Sequence, residues 1–492
     1  MSKIDIVNLT FAYEGTYDNI FENVSFQLDT DWRTGFTGRN GRGKTTFLNL
    51  LRGRYPYHGS ISAGVEFDYF PFEVQEPQNL TSDTAAQLDP GLELWRLKKE
   101  LALLEVPEET LYRPFETLSF GEQTKVLLAL LFLRDHHFLL IDEPTNHLDM
   151  HARQIVSNYL SSKSGFILVS HDRMFLDRCV DHMLVINRTG IEVQKGNFSS
   201  WYANKEMQDQ WELDENRKLK KEISHLQGAA RKAADWSTNK EADKYGAGPV
   251  DRGYVGHKAA KMMQRSKNLE KRQHKAIEEK QKLLKNIESI DKLKISGEKY
   301  HTNSLIELKE LTVCFDGNPV FEPLTMTIEQ GERTALIGVN GCGKSSLIRL
   351  ILGDKLDYQG ILRVGSGLKI SYVSQNTSFL RGDLKELARE ENLDESLFKA
   401  ILRKLDFERV QFEKPMETYS EGQKKKVLIA RSLCQKAHLY IWDEPLNFID
   451  IYSRMQIEKL LKEYHPTLLF VEHDQSFTDE IATQKIEMKR KK

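Results

Sequence analysis

The sequence GRNGRGKTT stands at residues 38–46, and GVNGCGKSS returns at residues 338–346. Both fit the pattern G-x-x-x-x-G-K-[ST] of a phosphate-binding loop, which needs a strand before it and a helix after it. The flanking sequence predicts both elements in each copy. The expected strands are Thr34–Thr37 and Thr334–Ile337, and the expected helices are Thr45–Leu51 and Ser345–Leu352. The chain is therefore predicted to carry two phosphate-binding loops.

Each residue type in these loops has a physical task. Glycines let the backbone curl so that several N–H groups face one anion, and the following helix adds its positive end. Lys44 and Lys344 are expected to reach the outer phosphates of a nucleotide. For a single loop, a glycine turn that merely caps a helix is the alternative. The predicted ATP-binding residues of the loops are Gly38, Asn40, Gly41, Gly43, Lys44, Thr45, Thr46, Gly338, Asn340, Gly341, Gly343, Lys344, Ser345 and Ser346.

Three further motifs repeat in the same order. LSFGEQ at 118–123 returns as YSEGQK at 419–424, FLLIDEP at 138–144 as LYIWDEP at 439–445, and SHD at 170–172 as EHD at 472–474. The first loop glycine precedes the serine of the next motif by 81 residues in one copy and 82 in the other, and 23 residues separate that serine from the DE aspartate in both. Matching spacing indicates a duplicated α/β domain, with copies near residues 1–200 and 301–492.

The loop hydroxyls and the DE aspartates are candidate metal ligands. Asp142 and Asp443 end apolar strands, where a carboxylate can hold Mg²⁺ or its waters. The hydroxyls of Thr45 and Ser345 are expected to ligate the same ion. We therefore predict ATP and Mg²⁺ as the ligands of each copy.

The residues after these aspartates are candidate catalytic groups. Glu143 and Glu444 are placed to polarise the attacking water as general bases. A structural ion pair is the alternative for such a carboxylate. His171 and His473 follow strand-like runs and are predicted to contact the γ-phosphate. A lone histidine after a strand is usually structural, so the histidine assignment depends on the repeat.

In these motifs and spacings, the chain resembles the ABC ATPase family over about four-fifths of its length. The resemblance implies that segments 119–123 and 420–424 are signature loops that open helices and act across a dimer. The first phosphate loop would then pair with Ser420 and Gly422, and the second with Ser119 and Gly121. It thus implies two nucleotides enclosed between the halves of one monomeric chain, an intramolecular pseudo-dimer.

The same resemblance assigns residues around the loops. Tyr13 and Phe315 match the position where the family stacks an aromatic ring on adenine, although core aromatics would look identical in sequence. Asp149 and Asp450 match the family's D-loop aspartate. Gln375 matches the Q-loop glutamine, which contacts the metal and the catalytic water.

The first copy departs from the family at two positions. Phe72 stands where the Q-loop glutamine is expected, so the first site is expected to coordinate its metal differently, through Gln75 or water. Phe120 replaces the usual small second residue of a signature. We therefore predict two unequal sites, with the first site the slower.

Residues 201–300 differ in character from the repeated domains. They hold 23 Lys and Arg against 16 Asp and Glu, whereas the rest of the chain holds 47 against 56. Apolar residues recur at helical spacing on both sides of a glycine-containing break near 244–253, which predicts an antiparallel helical hairpin. Its basic tip indicates a polyanionic partner, and a solvated charged face is the alternative. The residues predicted to contact that partner are Tyr245, Arg252, Tyr254, His257 and Lys258.

With this linker, the resemblance narrows to the ABC-F class of translation factors and, within it, to the Lsa-type antibiotic-resistance proteins. The similar stretches include GNFSSWY at 196–202, GHKAAKMM at 256–263 and WDEPLNFID at 442–450. The resemblance implies binding to the E site of the 70S ribosome in the ATP state and release on hydrolysis. The linker tip would reach the 23S rRNA of the peptidyl-transferase centre beside the P-site tRNA, so that lincosamides, streptogramin A and pleuromutilins are displaced.

Composition limits the alternatives. The longest apolar stretch, Val126–Leu133, is far short of the roughly 20 residues that span a bilayer, and residues 1–5 lack the apolar core expected of a signal peptide. The four cysteines are scattered, which suits a reducing cytoplasm and excludes a recycling ATPase with iron–sulfur clusters. We expect a cytoplasmic protein without a membrane or DNA partner. A housekeeping ABC-F factor and, further away, the ATPase subunit of a transporter remain the competing hypotheses.

Overall fold

The computed structural model describes residues 2–15, 19–134, 137–146, 148–187, 190–242 and 298–491. The chain divides into two compact units. The larger unit contains both phosphate loops and comprises Met1–Trp201 and Lys292–Lys492, and the smaller is Tyr202–Asp291.

The first half of the larger unit alternates strands with helices. Its strands are β1 (Lys3–Phe11), β2 (Phe21–Asp29), β3 (Arg33–Gly38), β4 (His58–Ala63), β5 (Glu66–Phe70), β6 (His137–Asp142), β7 (Phe166–Val169), β8 (His182–Ile186) and β9 (Ile191–Lys195). Its helices are α1 (Lys44–Leu51), α2 (Thr81–Leu88), α3 (Leu94–Leu103), α4 (Phe120–Leu131), α5 (Met150–Ser161) and α6 (Arg173–Cys179).

A parallel sheet organises this half, in the order β5-β6-β7-β3-β8-β9, with only β9 antiparallel to its neighbour. Strands at the centre of a parallel sheet are covered on both faces, so they read as continuous apolar runs rather than alternating ones. In β7 all four residues are buried. A smaller antiparallel sheet, β2-β1-β4, adds the apolar side chains of β1 to the core.

The second half repeats this plan. Its strands are β10 (Ser304–Phe315), β11 (Asn318–Pro319), β12 (Leu324–Glu329), β13 (Arg333–Ile337), β14 (Asp357–Val364), β15 (Ile370–Val373), β16 (Leu439–Asp443), β17 (Leu468–Val471) and β18 (Gln484–Glu487). The long helix α7 (Phe198–Ala242) precedes it, and its own helices are α8 (Lys344–Ile351), α9 (Leu384–Glu390), α10 (Glu395–Lys404), α11 (Glu421–Cys434), α12 (Ile451–Tyr464) and α13 (Gln475–Ile481). The parallel sheet runs β15-β16-β17-β13-β18.

The equivalent strands of the two parallel sheets stand in the same order, which confirms the predicted pair of α/β domains. In both halves the phosphate loop follows the fourth strand of the parallel sheet, β3 or β13, and the DE motif ends the second strand, β6 or β16. Loop and DE motif therefore emerge at the carboxyl edge of one sheet.

Helix α7 holds 45 residues and begins within the GNFSSWY stretch. The predicted tip and the returning helix, with Tyr245, Arg252, Tyr254, His257 and Lys258, lie outside the described residues. Within the described ranges, no helix is both long enough and apolar enough to cross a membrane.

Candidate nucleotide-binding sites

Each phosphate loop wraps around the ammonium group of its own lysine. Lys44 Nζ donates to the carbonyl oxygen of Gly38 at 2.8 Å, and Lys344 Nζ donates to that of Gly338 at 2.8 Å. Both lysines are buried, and burial lowers the pKa of Lys44. The two side chains are thus held at the mouth of a curled backbone, where an anionic phosphate can meet them.

The last glycine of each loop is required by its conformation and by its neighbours. Gly43 and Gly343 have φ angles of +91° and +100°, in the left-handed region that favours glycine. A Cβ on Gly43 would lie 2.5 Å from a methyl carbon of Ile20, and one on Gly343 would lie 2.9 Å from the ring of Phe321. These glycines end the curl and start α1 and α8.

In the first copy a hydroxyl and a carboxylate meet behind the phosphate loop, where Thr45 Oγ1 donates to Asp142 Oδ2 at 3.0 Å. In the second copy burial raises the pKa of Asp443, and the neighbouring Ser345 hydroxyl opposes that rise. Oδ1 of Asp443 is buried and has no hydrogen-bond partner among the described residues. A hydroxyl beside a carboxylate with a spare oxygen is a donor set that fits Mg²⁺, an oxygen-binding cation.

The first metal site has an additional partner that the sequence did not point to. The hydroxyl of Tyr69 donates to Asp142 Oδ2 at 2.9 Å. Tyr69 is the penultimate residue of β5, three residues before Phe72, and its counterpart in the second copy is Tyr372. Burial, together with Asp142, raises the pKa of the Tyr69 phenol, so it stays a donor to the carboxylate. Gln75, the predicted substitute, is exposed.

Each DE glutamate lies beside the histidine of its own copy. Glu143 Oε1 is 3.3 Å from His171 Nε2, and Glu444 Oε1 is 3.5 Å from His473 Nε2. Both glutamates have positive φ angles, +51° and +48°. Such angles are uncommon outside glycine and cost conformational energy, and strained residues of this kind cluster at functional sites.

The surroundings of the two glutamates nevertheless differ. Gln375 Nε2 and Asn447 Nδ2 each donate to Glu444 Oε2 at 2.7 Å. Glu143 has Phe72 in place of the glutamine, and its Oε1 makes no hydrogen bond to a described residue. Asn447 is absent from the predicted site, although the repeat contains a signal for it, because Asn146 occupies the same place in the first DEP motif.

The pKa values of the glutamates follow these surroundings. Burial raises the pKa of Glu143 to about 8, and the neighbouring Asp142 adds to the rise. Burial also acts to raise the pKa of Glu444, but His473 and Asn447 outweigh it and bring the pKa below its ordinary value. Burial holds the pKa of His171 well below its ordinary value, so that histidine is neutral. The pKa of Glu143 thus lies above its ordinary value and that of Glu444 below it.

One cavity lies between the second phosphate loop and the first half's signature. Its volume is about 950 Å³. The predicted residues among its lining are Ser119, Gly121, Phe315, Asn340, Gly341, Gly343, Lys344, Ser345, Ser346, Gln375, Glu444 and His473. The D-loop aspartate Asp149 also lines it, and Asp149 Oδ2 lies 3.4 Å from the backbone nitrogen of Asn340. The structure therefore brings Ser119 and Gly121 to the same cavity as the second phosphate loop.

The smaller cavity, of about 280 Å³, lies between the first phosphate loop and the second half's signature. Its lining includes the predicted residues Asn40, Gly41, Glu143, His171, Ser420 and Gly422. Phe448, next to the second D-loop, lines it as well. Each cavity is thus built from both halves of the chain.

The signature serines owe their positions to helix capping. Ser119 is the N-cap of α4 and Ser420 the N-cap of α11, and each forms a capping box with the residue three places on. Gly121 and Gly422 lie in the first helical turn, and the N-terminus of a helix is an end that favours an anion.

The two candidate adenine-stacking residues occupy different settings. Phe315 is 50% exposed and lines the larger cavity. Tyr13 is 40% exposed, and its hydroxyl lies 2.8 Å from Thr46 Oγ1 in the first loop. Both rings are therefore beside a phosphate loop and accessible.

Comparisons with known proteins agree with this geometry. The family profile described as ABC transporter matches residues 21–146 and 321–447. The ribosome protection protein VmlR of Bacillus subtilis is 30% identical, over 98% of this chain and 86% of its own length. The probable ATP-binding protein YbiT of Escherichia coli O157:H7 is 28% identical, over 95% of this chain and 93% of its own.

A solved structure with a similar fold is that of RNase-L Inhibitor, which is 17% identical with a TM-score of 0.62 and covers 98% of this chain and 87% of its own. At that identity the likeness shows the shared fold. Two matched domains in one chain, and relatives that extend over nearly all of it, identify the protein as an ATPase that uses ATP with Mg²⁺. The chain belongs to the ABC-F family.

Proposed function

We propose that this ATPase binds the 70S ribosome in its ATP-bound state and protects the peptidyl-transferase region of the large subunit from antibiotics. The observation that carries the proposal is the pair of cavities built from both halves of the chain. A nucleotide in such a cavity bridges the two halves, so its presence and hydrolysis switch their association. The similarity to VmlR, a ribosome protection protein, supports the ribosome as the proposed partner.

The chemical step at each site is proposed as follows. Glu143 or Glu444 accepts a proton from a water molecule while the water oxygen attacks the γ-phosphorus, and the bond to the bridging oxygen of ADP breaks. His171 and His473, 3.3 and 3.5 Å from these carboxylates, orient them and contact the γ-phosphate. Thr45 with Asp142, and Ser345 with Asp443, would hold Mg²⁺, which would supply neutralising charge for the phosphates.

The remaining parts of the proposal concern the linker. Residues 201–300 are proposed to form the helical hairpin whose tip meets 23S rRNA near the P-site tRNA, from a position in the E site. The drugs proposed to be displaced are lincosamides, streptogramin A and pleuromutilins. A cytoplasmic location follows from that partner. Helix α7 provides the first arm, and its 45 residues reach about 68 Å at 1.5 Å per residue.

Co-sedimentation and drug susceptibility together test the proposal. The double variant Glu143→Gln, Glu444→Gln is expected to pellet with 70S ribosomes in ATP and to stay in the supernatant in ADP. A host that expresses the unchanged protein is expected to tolerate the three drug classes better than one that expresses the linker-tip deletion of 244–257. Ribosome binding without any change in susceptibility would favour a housekeeping ABC-F factor, the second candidate.

A further inference from the structure

The two phosphate loops differ in their variable positions. The first loop carries Arg39 and Arg42, where the second carries Val339 and Cys342. Glycine, lysine and hydroxyl residues are shared, so these positions are not needed to curl the loop around phosphate. The arginines therefore require another explanation.

Arg39 reaches across to the second half of the chain. Its guanidinium forms an ion pair with Asp406, and it also lies 5.7 Å from the centre of the Tyr452 ring. The exposed side-chain fractions are 33% for Arg39 and 22% for Asp406, so the pair is partly removed from water. Partial desolvation and a cation–π contact make such a pair stronger than an exposed one.

Arg42 makes a second, longer contact in the same direction, with Nη2 3.8 Å from Glu408 Oε1. Local contacts hold the segment that carries the two acceptors, Asp406 and Glu408, in place. Asp406 is fixed by a hydrogen bond from its backbone nitrogen to the carbonyl oxygen of Arg403 at 3.0 Å, and Phe407 between the acceptors is buried. Two arginines of one loop thus meet two carboxylates of one turn.

The pseudo-symmetric position has no such arrangement. The counterparts of Asp406 and Glu408 in the first half are Glu105 and Pro107. The counterparts of Arg39 and Arg42 in the second phosphate loop are Val339 and Cys342. The Glu105 carboxylate lies 3.6 Å from His151 of its own half, while Val339 is 48% exposed. The side with the arginines encloses about 280 Å³, and the side without them about 950 Å³.

We propose that Arg39 and Arg42 are positioning residues that dock the first phosphate loop on residues 406–408 of the second half, so that the first composite site holds ATP more tightly than the second. Arg39 is adjacent to Asn40, whose amide reaches the opposite half, and the carbonyl oxygen of Arg39 accepts from Lys44 Nζ at 3.4 Å. Docking of Arg39 therefore fixes the groups that touch nucleotide. The inference rests on the composite sites of the proposed function, but not on the ribosome.

Equilibrium binding of a fluorescent ATP analogue, mant-ATP, to the full chain tests this inference. The background is Glu143→Gln with Glu444→Gln, to stop turnover, and Lys344→Ala, to leave only the first site. Arg39→Ala and Asp406→Ala are each expected to raise the Kd about 5-fold, and the double variant by no more than either alone. The charge exchange Arg39→Asp with Asp406→Arg is expected to recover most of the loss, which a merely structural defect would not do.

Two controls define the result that overturns the inference. Arg349→Ala removes a guanidinium whose partner Asp354 lies in the same half, and it is expected to leave the Kd unchanged. With Lys44→Ala in place of Lys344→Ala, the second site is expected to be insensitive to Arg39→Ala. Additive losses, equal losses at both sites, or no loss at the first site would each overturn it. Failure of ribosome binding would leave this experiment unaffected, because no ribosomes are present.

Discussion

The side-chain amide of Asn40 donates a hydrogen bond of 2.8 Å to the main-chain oxygen of Phe448, 408 residues further along the chain. Asn40 belongs to the first phosphate loop, and Phe448 lies two residues before the D-loop aspartate of the other half. On the other side Asp149 of the first D-loop lies 3.4 Å from the backbone of Asn340. The loops that hold phosphate in one half thus contact the D-loop region of the other.

This contact makes the two signature glycines unequal. A Cβ added at Gly422 would lie 2.3 Å from the Phe448 oxygen and 3.0 Å from Asn40 Nδ2, whereas at Gly121 the nearest atom would be a Leu148 methyl carbon at 3.7 Å. We expect Gly422→Ala to weaken ATP binding at the first site by at least about 10-fold, since backbone must shift. Gly121→Ala is the matched control and should change the second site by less than about 3-fold. Mant-ATP titration of single-site variants measures both, and equal effects would contradict the geometry.

The DE glutamate of the second half, Glu444, accepts a hydrogen bond from the amide of Gln375, and the first half has Phe72 at the corresponding position. Gln375→Met removes the 2.7 Å hydrogen bond to Glu444 Oε2 and keeps the side-chain length. A hydrogen bond to a charged group contributes about 1.5–3 kcal/mol, so hydrolysis at the second site is expected to slow roughly 10- to 100-fold. Single-turnover assays in the Glu143→Gln background measure the rate, and the affinity for mant-ATP is the control. An unchanged rate would mean that this amide does not support the step.

A buried ion pair between the halves predicts a dependence of stability on pH. Glu458 contacts Arg173 of the first half. Burial raises the pKa of Glu458 to about 7, although Arg173 opposes the rise. The folded state therefore holds this proton more tightly, and the stabilisation is complete below the unfolded pKa and is lost as the pH rises through about 7.

Glu458→Gln resembles the protonated acid and keeps an acceptor for Arg173. The difference in free energy of unfolding between the proteins at pH 8.5 is expected to be on the order of 3 kcal/mol in favour of the variant. Thermal unfolding between pH 5.5 and 8.5 checks this, with the unchanged protein losing more of its Tm across the range. Parallel pH curves for the two proteins would show that Glu458 titrates normally.

The buried pair of Arg454 and Asp474 is expected to matter more than surface pairs. Arg454 Nη1 lies 2.9 Å from Asp474 Oδ2, and the two side chains are 8% and 0% exposed. Arg454→Ala leaves a buried carboxylate without its partner, which typically costs about 3–5 kcal/mol. Arg349→Ala, which breaks the exposed pair with Asp354, should cost less than about 1 kcal/mol. Denaturant unfolding compares the two, and similar costs would contradict the assigned burial.

Much of this protein could be predicted from its sequence because its chemistry lies in local motifs. The strand before each phosphate loop and the helix after it follow from apolar runs and glycines, and the structure places them at Arg33–Gly38 and Lys44–Leu51 in the first copy. The N-cap serines Ser119 and Ser420 were expected to open helices and do so. The predicted fold class and ATPase activity are confirmed.

Other features could not be predicted, since they depend on packing between distant segments. Nothing in the residues around Asn40 points to Phe448, and nothing near Arg39 points to Asp406. Tyr69 looks like one more strand aromatic until its hydroxyl is placed beside Asp142. The unequal volumes of the two cavities are likewise not defined by the motif pattern.

The central claim is that each nucleotide lies between the phosphate loop of one half and the signature serine of the other. Pairs of substitutions test it most directly, because two lesions in one site spare the other site. In the Glu143→Gln, Glu444→Gln background, we predict that Lys44→Ala with Ser420→Arg retains about one trapped ATP per chain, whereas Lys344→Ala with Ser420→Arg retains almost none. The reverse pattern, with ATP lost from the first pair and kept by the second, would contradict the account.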